Sequence, residues 1–264
     1  MEQFDHQKLQ HSLMKAGASD HMAHEIVSHV AKKRMRTTED IHRRTLEYAL
    51  KRDMRLAIQY NLKEALLQLG PSGFPFEQYM AELLRTRGYN VVTNQHIQGN
   101  CVMHEVDLVL KKENVRTIVE CKFRNQLGSK IDVKIPLYFH SRMRDILTKW
   151  KETYPDTTET YAGMIITNTK FTSDAITYSN CSGIRLLGWG YPEDDNIGTW
   201  IDQTGLIPIT AIPFLSRYQR SALASKGVVM CKQLEGNTHL LKRIGLSKGM
   251  IENLLYNIRD FCGQ

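Results

Sequence analysis

Residues 104–125, HEVDLVLKKENVRTIVECKFRN, decide the reading of this chain. Two β-branched apolar runs, VDLVL and RTIVECKF, flank the polar KKEN, which is the pattern of a β-hairpin. A turn at Glu113 and Asn114 sets Asp107 opposite Glu120 and Glu105 opposite Lys122. Directly opposed residues share one face of a sheet, with Cβ atoms roughly 4.5–5.5 Å apart. Glu120 and Lys122 are two apart and point the same way, whereas Cys121 points to the other face. Leu108, Val109 and Leu110, then Ile118 and Val119, are apolar on both faces, as in strands buried on both sides. Three acids and a lysine therefore gather at one end of a buried hairpin, where desolvation must be offset by a metal or by mutual pairing. A structural salt bridge needs one acid per lysine, and this end carries a surplus of acid. Two carboxylates at that spacing suit one Mg²⁺, whose oxygen ligands lie at about 2.0–2.1 Å. The competing reading, a solvated edge hairpin, fits the two-sided apolar runs poorly.

Outward from the hairpin, helix and strand alternate. FEQYMAELLRTRG reads as an amphipathic helix ended by Gly88, and YNVV as a strand. A helix opens near Pro136 in PLYFHSRMRDILTKWKETY, YAGMIIT is a buried strand, SDAITYSNC a helix stopped by Gly183, and IRLLGW a last strand. The resulting order is α-β-β-β-α-β-α-β. On the N-terminal side four helices precede the densest Gly/Pro cluster, GPSGFP at 70–75, which marks a domain boundary at Gly70-Pro71. Their start signals are Asp5, then Ser19 or Asp20, then Thr37 or Thr38. After YPEDDN (191–196) the chain reads as helical again. Three units follow, with boundaries at 1–69, 72–192 and 193–264.

An aspartate on one strand and Glu-x-Lys on the next, behind a helix bearing Phe76 and Glu77, resembles the PD-(D/E)xK nuclease superfamily. GFPFEQYMAELLRTRGYNV, HEVD and ECKF are similar to its Mrr-like restriction endonuclease group, over about residues 72 to 190. The resemblance implies an α/β fold with a restriction-endonuclease-like αβββαβ core sheet. It implies catalytic Asp107, Glu120 and Lys122, a Mg²⁺ or Mn²⁺ ion held by Asp107 and Glu120, and Glu77 as a further ligand. The expected reaction is metal-assisted hydrolysis of DNA phosphodiesters, of the restriction or defence type. Glu105 and His104 flank this set. Lys134 and Arg142, two of six basic residues from Lys130 to Lys151, are expected to contact the DNA backbone. TNTKFT (167–172) follows a buried strand and is a candidate lining of the same cleft.

FDHQKLQHSLMKAGAS, TTEDI and YNLKEAL resemble the ATP-cone, the nucleotide-binding regulatory domain of ribonucleotide reductases and their repressors. That resemblance implies ATP or dATP as an effector, contacted by Lys8 and Thr38. The Lys-Arg-x-Gly stretch that opens the family pattern is missing here, so an association domain without nucleotide is the alternative. The absence of G-x-x-x-x-G-K-[ST] speaks against ATP as a motor fuel. Six of ten histidines fall in this part, yet His24 and His29 are five apart and rotated roughly 140° around a helix, so they are read as solvated rather than metal-binding.

LLKRIGLSKGMIENLL resembles a degenerate helix-hairpin-helix, a small helical module for nucleic acid or for dimerisation, with Ser247 able to cap its second helix and TGLIPITAIPFL as a possible companion hairpin. The net charge of +7 suits a polyanionic partner, though equal charge occurs in proteins that never meet one. No run of eighteen apolar residues and no basic-then-apolar start are present, so a cytoplasmic protein without membrane segments is expected. Five scattered cysteines without C-x-x-C read as reduced core residues. The expected protein is a DNA endonuclease, homo-oligomeric and tuned through its cone. The alternatives are a non-cleaving, nucleotide-sensing DNA-binding regulator, and the same chemistry on RNA.

Overall fold

The structure, a computed structural model, describes residues 5–32, 37–70 and 72–262, with side chains to residue 259. Pro71 of the expected boundary and the Cys262 thiol lie outside the described residues and side chains. Contacts divide the chain into two compact units, residues 1–64 with 211–213, and residues 65–210 with 214–264.

The first unit is helical. α1 (His6–Lys15), α2 (Asp20–Ala31) and α3 (Thr38–Arg52) are each capped by a side-chain oxygen that accepts an N–H of the first turn, from Asp5, Ser19 and Thr37 respectively. α4 (Met54–Leu67) begins after Asp53, whose carboxylate accepts the Leu56 N–H at 3.0 Å. Leu9, Leu13, Ile26, Val27, Val30, Ala49 and Leu56 form its core. His29 is not simply solvated, because its ring stacks on Tyr48 at 4.0 Å between centroids.

The second unit starts with α5 (Phe74–Thr86), followed by β1 (Asn90–Gln98), β2 (Met103–Lys112), β3 (Val115–Lys122) and the short β4 (Lys130–Ile131). Then come α6 (Lys134–Thr153), β5 (Thr160–Thr167), β6 (Lys170–Phe171), α7 (Ser173–Cys181) and β7 (Ile184–Leu187). The five-stranded sheet has the order β1-β2-β3-β5-β7. β1, β2 and β3 run antiparallel, whereas β3, β5 and β7 run parallel, as strands joined by crossover helices do. β4 and β6 make a separate parallel pair. α6 buries Phe139, Met143 and Ile146 against Ile118 and Ile165 of the sheet. Gly163 on β5 permits that approach, because a Cβ there would overlap Met143 and Phe139.

β1 is longer than YNVV and pairs with β2 along nearly its whole length, and α6 starts two residues before Pro136. The region after residue 196 is less helical than expected. α8 (Ile197–Thr204) stops at Gly205, whose φ of +64° suits a residue without Cβ, and Ile207 and Ile209 then bond to Cys231 and Val229 backbone. α9 (Arg217–Ala224), α10 (Thr238–Arg243) and α11 (Lys248–Cys262) follow, and Ser247 accepts the Met250 N–H as its capping role requires. The cysteines depart from a reduced core set: Cys231 is disulfide-bonded, Cys101 and Cys181 are exposed, and Cys121 is buried and free. No helix among the described residues is long and apolar enough to cross a membrane.

Candidate active site

The hairpin has the register its sequence predicts, with Leu108↔Val119, Val109↔Ile118 and Leu110↔Thr117, and its turn contains Glu113 at φ +53°. At Asp107 the ladder breaks on both sides. β1 passes from Thr93↔Leu108 to Gln95↔Val106, skipping Asn94 at φ +50°, and pairing with β3 ends at Leu108↔Val119. Beyond that point β2 continues beside β1 alone. β3 continues beside β5 alone, through Glu120↔Ile165, Cys121↔Ile166 and Lys122↔Thr167. The two strands thus fork, with Asp107 and Glu105 on one arm and Glu120 and Lys122 on the other. Asp107 turns into the gap, where its Oδ2 accepts the Cys121 N–H at 2.6 Å.

Glu120 is 3% exposed, and both of its oxygens are engaged. Oε1 pairs with Lys122 Nζ, and Oε2 accepts from an Arg142 guanidinium nitrogen at 2.6 Å. The second guanidinium nitrogen of Arg142 donates to the Glu105 carbonyl. Lys122 keeps 29% of its side chain exposed while its ammonium pairs with Glu120.

Glu77 sits on the first turn of α5, where its carboxyl is pushed up to about 7 by burial first and then by the charges of Asp107, Glu105 and Glu120. Burial and the Glu120 charge push Asp107 up to about 6. The Phe123 ring, one residue past β3, lies against Gly70 and 5.9 Å from Phe76, which ties the end of β3 to the start of α5. That packing sets Glu77 beside the fork.

The arms are also held from behind. Asn168 is fully buried, accepts the Arg124 N–H at 2.9 Å and donates to the Arg124 carbonyl at 2.7 Å, while Thr167 donates to the Lys122 carbonyl. TNTKFT therefore braces the end of β3 from within through its first two residues, Thr167 and Asn168. On the other arm, Asp145 of α6 accepts from the Cys101 and Val102 N–H groups and contacts His104 Nε2 at 2.7 Å. The His104 bond, with those backbone donors, draws the Asp145 carboxyl down to about 2.

Of the residues predicted from sequence, Asp107, Glu120, Lys122, Glu77, Glu105 and Arg142 converge. Lys134 stands exposed at the start of α6, two turns before Arg142, and Lys8 and Thr38 are exposed on α1 and α3. Sequence reasoning passed over the Arg142 to Glu120 pairing, Asp145 and Asn168. The one visible signal was an Arg and an Asp three apart on a helix facing the hairpin.

The donor set fits a hard divalent cation in kind. It is all carboxylate oxygen, carries more acid than base, and holds two acids, Glu77 and Asp107, whose proton affinity is raised by burial first and then by neighbouring carboxylates. Among the described residues no group of three or more His, Cys, Asp or Glu is placed to hold a metal ion as the side chains stand. Two surface cavities of about 380 and 370 Å³ lie elsewhere, beside Tyr154 and beside Tyr89, and neither touches the fork.

A family profile described as Restriction endonuclease matches residues 70–188, and one described as AF1548-like, C-terminal matches residues 207–262. An uncharacterized protein of Archaeoglobus fulgidus is 36% identical over 185 residues, which span 70% of this chain and all of that protein. The crystal structure of the protein AF1548, of unknown function, superposes with a TM-score of 0.59 at 30% identity, covering 73% of this chain and 99% of that one. Can2 from Sulfobacillus thermosulfidooxidans, in complex with cyclic tetra-adenylate, matches at a TM-score of 0.36 and 15% identity over 75% of this chain and 55% of its own, too distant to bear on this site. The chain belongs to the family of the Archaeoglobus fulgidus protein, and carries a restriction-endonuclease domain followed by an AF1548-like C-terminal domain.

Proposed function

We propose that this protein is a divalent-metal-dependent endonuclease that hydrolyses DNA phosphodiesters at the fork. The observation that carries the reading is the end of β2–β3 pairing beside Asp107, which gathers Asp107, Glu120 and Lys122 at one end of the hairpin inside a restriction-endonuclease domain. Asp107 and Glu120, with Glu77 beside them, would hold Mg²⁺ or Mn²⁺. Such an ion supplies polarisation of the scissile phosphate and of an attacking water. Lys122, already paired with Glu120, orients water and offsets charge that develops on the phosphate. Lys134, exposed on α6, contacts the DNA backbone.

The helical first unit is proposed to regulate this activity, either by binding ATP or dATP through Lys8 and Thr38 or by joining copies of the chain. Calorimetric titration of ATP and dATP, beside Lys8→Ala and Thr38→Ala, separates these roles. A role in restriction of foreign DNA is the biological setting proposed.

A panel of end-labelled single- and double-stranded DNA and RNA, incubated in Mg²⁺ or in EDTA, tests the reaction. Mg²⁺-dependent internal cuts in DNA are expected. Cuts confined to RNA would replace the substrate, and cuts that persist in EDTA would overturn the metal-dependent chemistry.

A further inference from the structure

We infer that Arg142 is a positioning residue for Glu120 and for the width of the fork, and that it does not track the DNA backbone. The inference rests on the nuclease reading and deepens it. Arg142 is the one side chain among the described residues that bonds to both arms, with one nitrogen on the Glu120 carboxylate and another on the Glu105 carbonyl. Only 13% of its side chain is exposed, and the guanidinium lies over the Tyr138 ring at 5.6 Å. A planar fork of donors matches this two-point task, whereas a single ammonium does not. Three residues on, Asp145 fastens the same arm of β2 through Cys101, Val102 and His104. One turn of α6 thus fixes both ends of that arm.

Two effects of opposite sign follow. Arg142 is a positive charge against the carboxylates that would take the metal, so its removal strengthens their attraction for a divalent cation. It also immobilises Glu120 and sets its distance from the β2 arm, so its removal slows cleavage even with metal saturating. A backbone contact predicts neither effect. It predicts weaker DNA binding and a salt dependence of affinity reduced by about 0.9 in slope.

The test uses the full chain as wild type, Arg142→Gln and Arg142→Lys. Mn²⁺ binding is read by calorimetry, DNA affinity at several salt concentrations in EDTA, and single-turnover cleavage at saturating Mn²⁺. For Arg142→Gln the expected result is Mn²⁺ affinity tightened by about threefold or more, with cleavage slowed by about tenfold or more. Its DNA affinity and salt slope stay at wild-type values. Arg142→Lys keeps the charge and loses the second bond, so its metal affinity stays at the wild-type value while cleavage falls part-way. Weakened DNA binding with a smaller salt slope and unchanged metal affinity would overturn the inference, as would full cleavage by Arg142→Gln. Wild type that binds no Mn²⁺ and cuts no DNA would instead remove the nuclease reading. A Gln variant that fails to fold leaves the Lys variant decisive, since full activity there contradicts the two-point role.

Discussion

Replacing Asp107 by Asn should stabilise the metal-free protein while it abolishes catalysis, and the stabilisation should depend on pH in a defined direction. The Asp107 carboxyl is raised from 3.8 to about 6, so the folded chain binds that proton more tightly than the unfolded chain does. Stability at this group is therefore intact below pH 4, is lost as pH climbs from about 4 to about 6, and stays at its reduced level above that. At about 1.36 kcal/mol per pH unit the unscreened difference is ~3 kcal/mol, and solvent access to the partly buried Asp107 reduces it to roughly 1–2 kcal/mol. Asn removes the charge and retains the oxygen that accepts the Cys121 N–H. All three tryptophans, Trp150, Trp189 and Trp200, lie in the second unit, so urea unfolding followed by their fluorescence reports on the unit that holds the fork. In EDTA at pH 8 the Asn variant should unfold at a urea concentration higher by about 0.5–1 M, with the gap shrinking toward pH 4. A variant that is less stable at pH 8, or one whose advantage is the same at every pH, refutes the assignment of repulsion and burial at Asp107.

Other consequences are equally direct. Asn168→Ala leaves the Arg124 N–H and carbonyl without their partner and should cost about 2–3 kcal/mol in the same urea assay. Asn168→Asp keeps the acceptor but sets a carboxylate against the Arg124 carbonyl, and should fare no better. Gly70→Ala drives a Cβ into the Phe123 ring and should destabilise the second unit by about 1–3 kcal/mol, with a loss of cleavage larger than the loss of folded protein because Glu77 shifts from the fork. Lys134→Ala should leave the cleavage rate at saturating DNA unchanged while it lowers DNA affinity and reduces the salt slope by about 0.9, read by fluorescence anisotropy.

Much of this architecture was legible because it rests on local physics. Apolar runs announced a buried hairpin, and the short KKEN connection left one register, which the structure keeps as far as Leu108↔Val119; the expected direct opposition of Asp107 to Glu120 and of Glu105 to Lys122 is lost because pairing ends there. Helix starts were readable to within one residue, at Asp5, at Ser19 or Asp20 and at Thr37 or Thr38, and the caps are Asp5, Ser19 and Thr37. What could not be read was set at long range. The break in the ladder at Asn94 and Asp107 depends on a backbone conformation that asparagine tolerates but does not require. Arg142 looked like one cation in a basic stretch, because its partner is 22 residues away on another element. Asn168 bonds across 44 residues of sequence, and nothing local distinguishes it from a loop asparagine. After residue 204 the apolar composition suggested helix, but Gly205 in the left-handed region ended it and the chain went on in extended bonds with residues 229–231.

The most direct measurement is cleavage of supercoiled plasmid by the full chain in Mg²⁺, in Mn²⁺ and in EDTA, beside Asp107→Ala, Glu120→Ala and Lys122→Ala. The account predicts nicked or linear DNA with either metal, none in EDTA, and none from any of the three variants while each still binds DNA. Equal cleavage by wild type and the variants, or plasmid left intact by a wild type that binds it in metal, would contradict the assignment of the fork as a nuclease site.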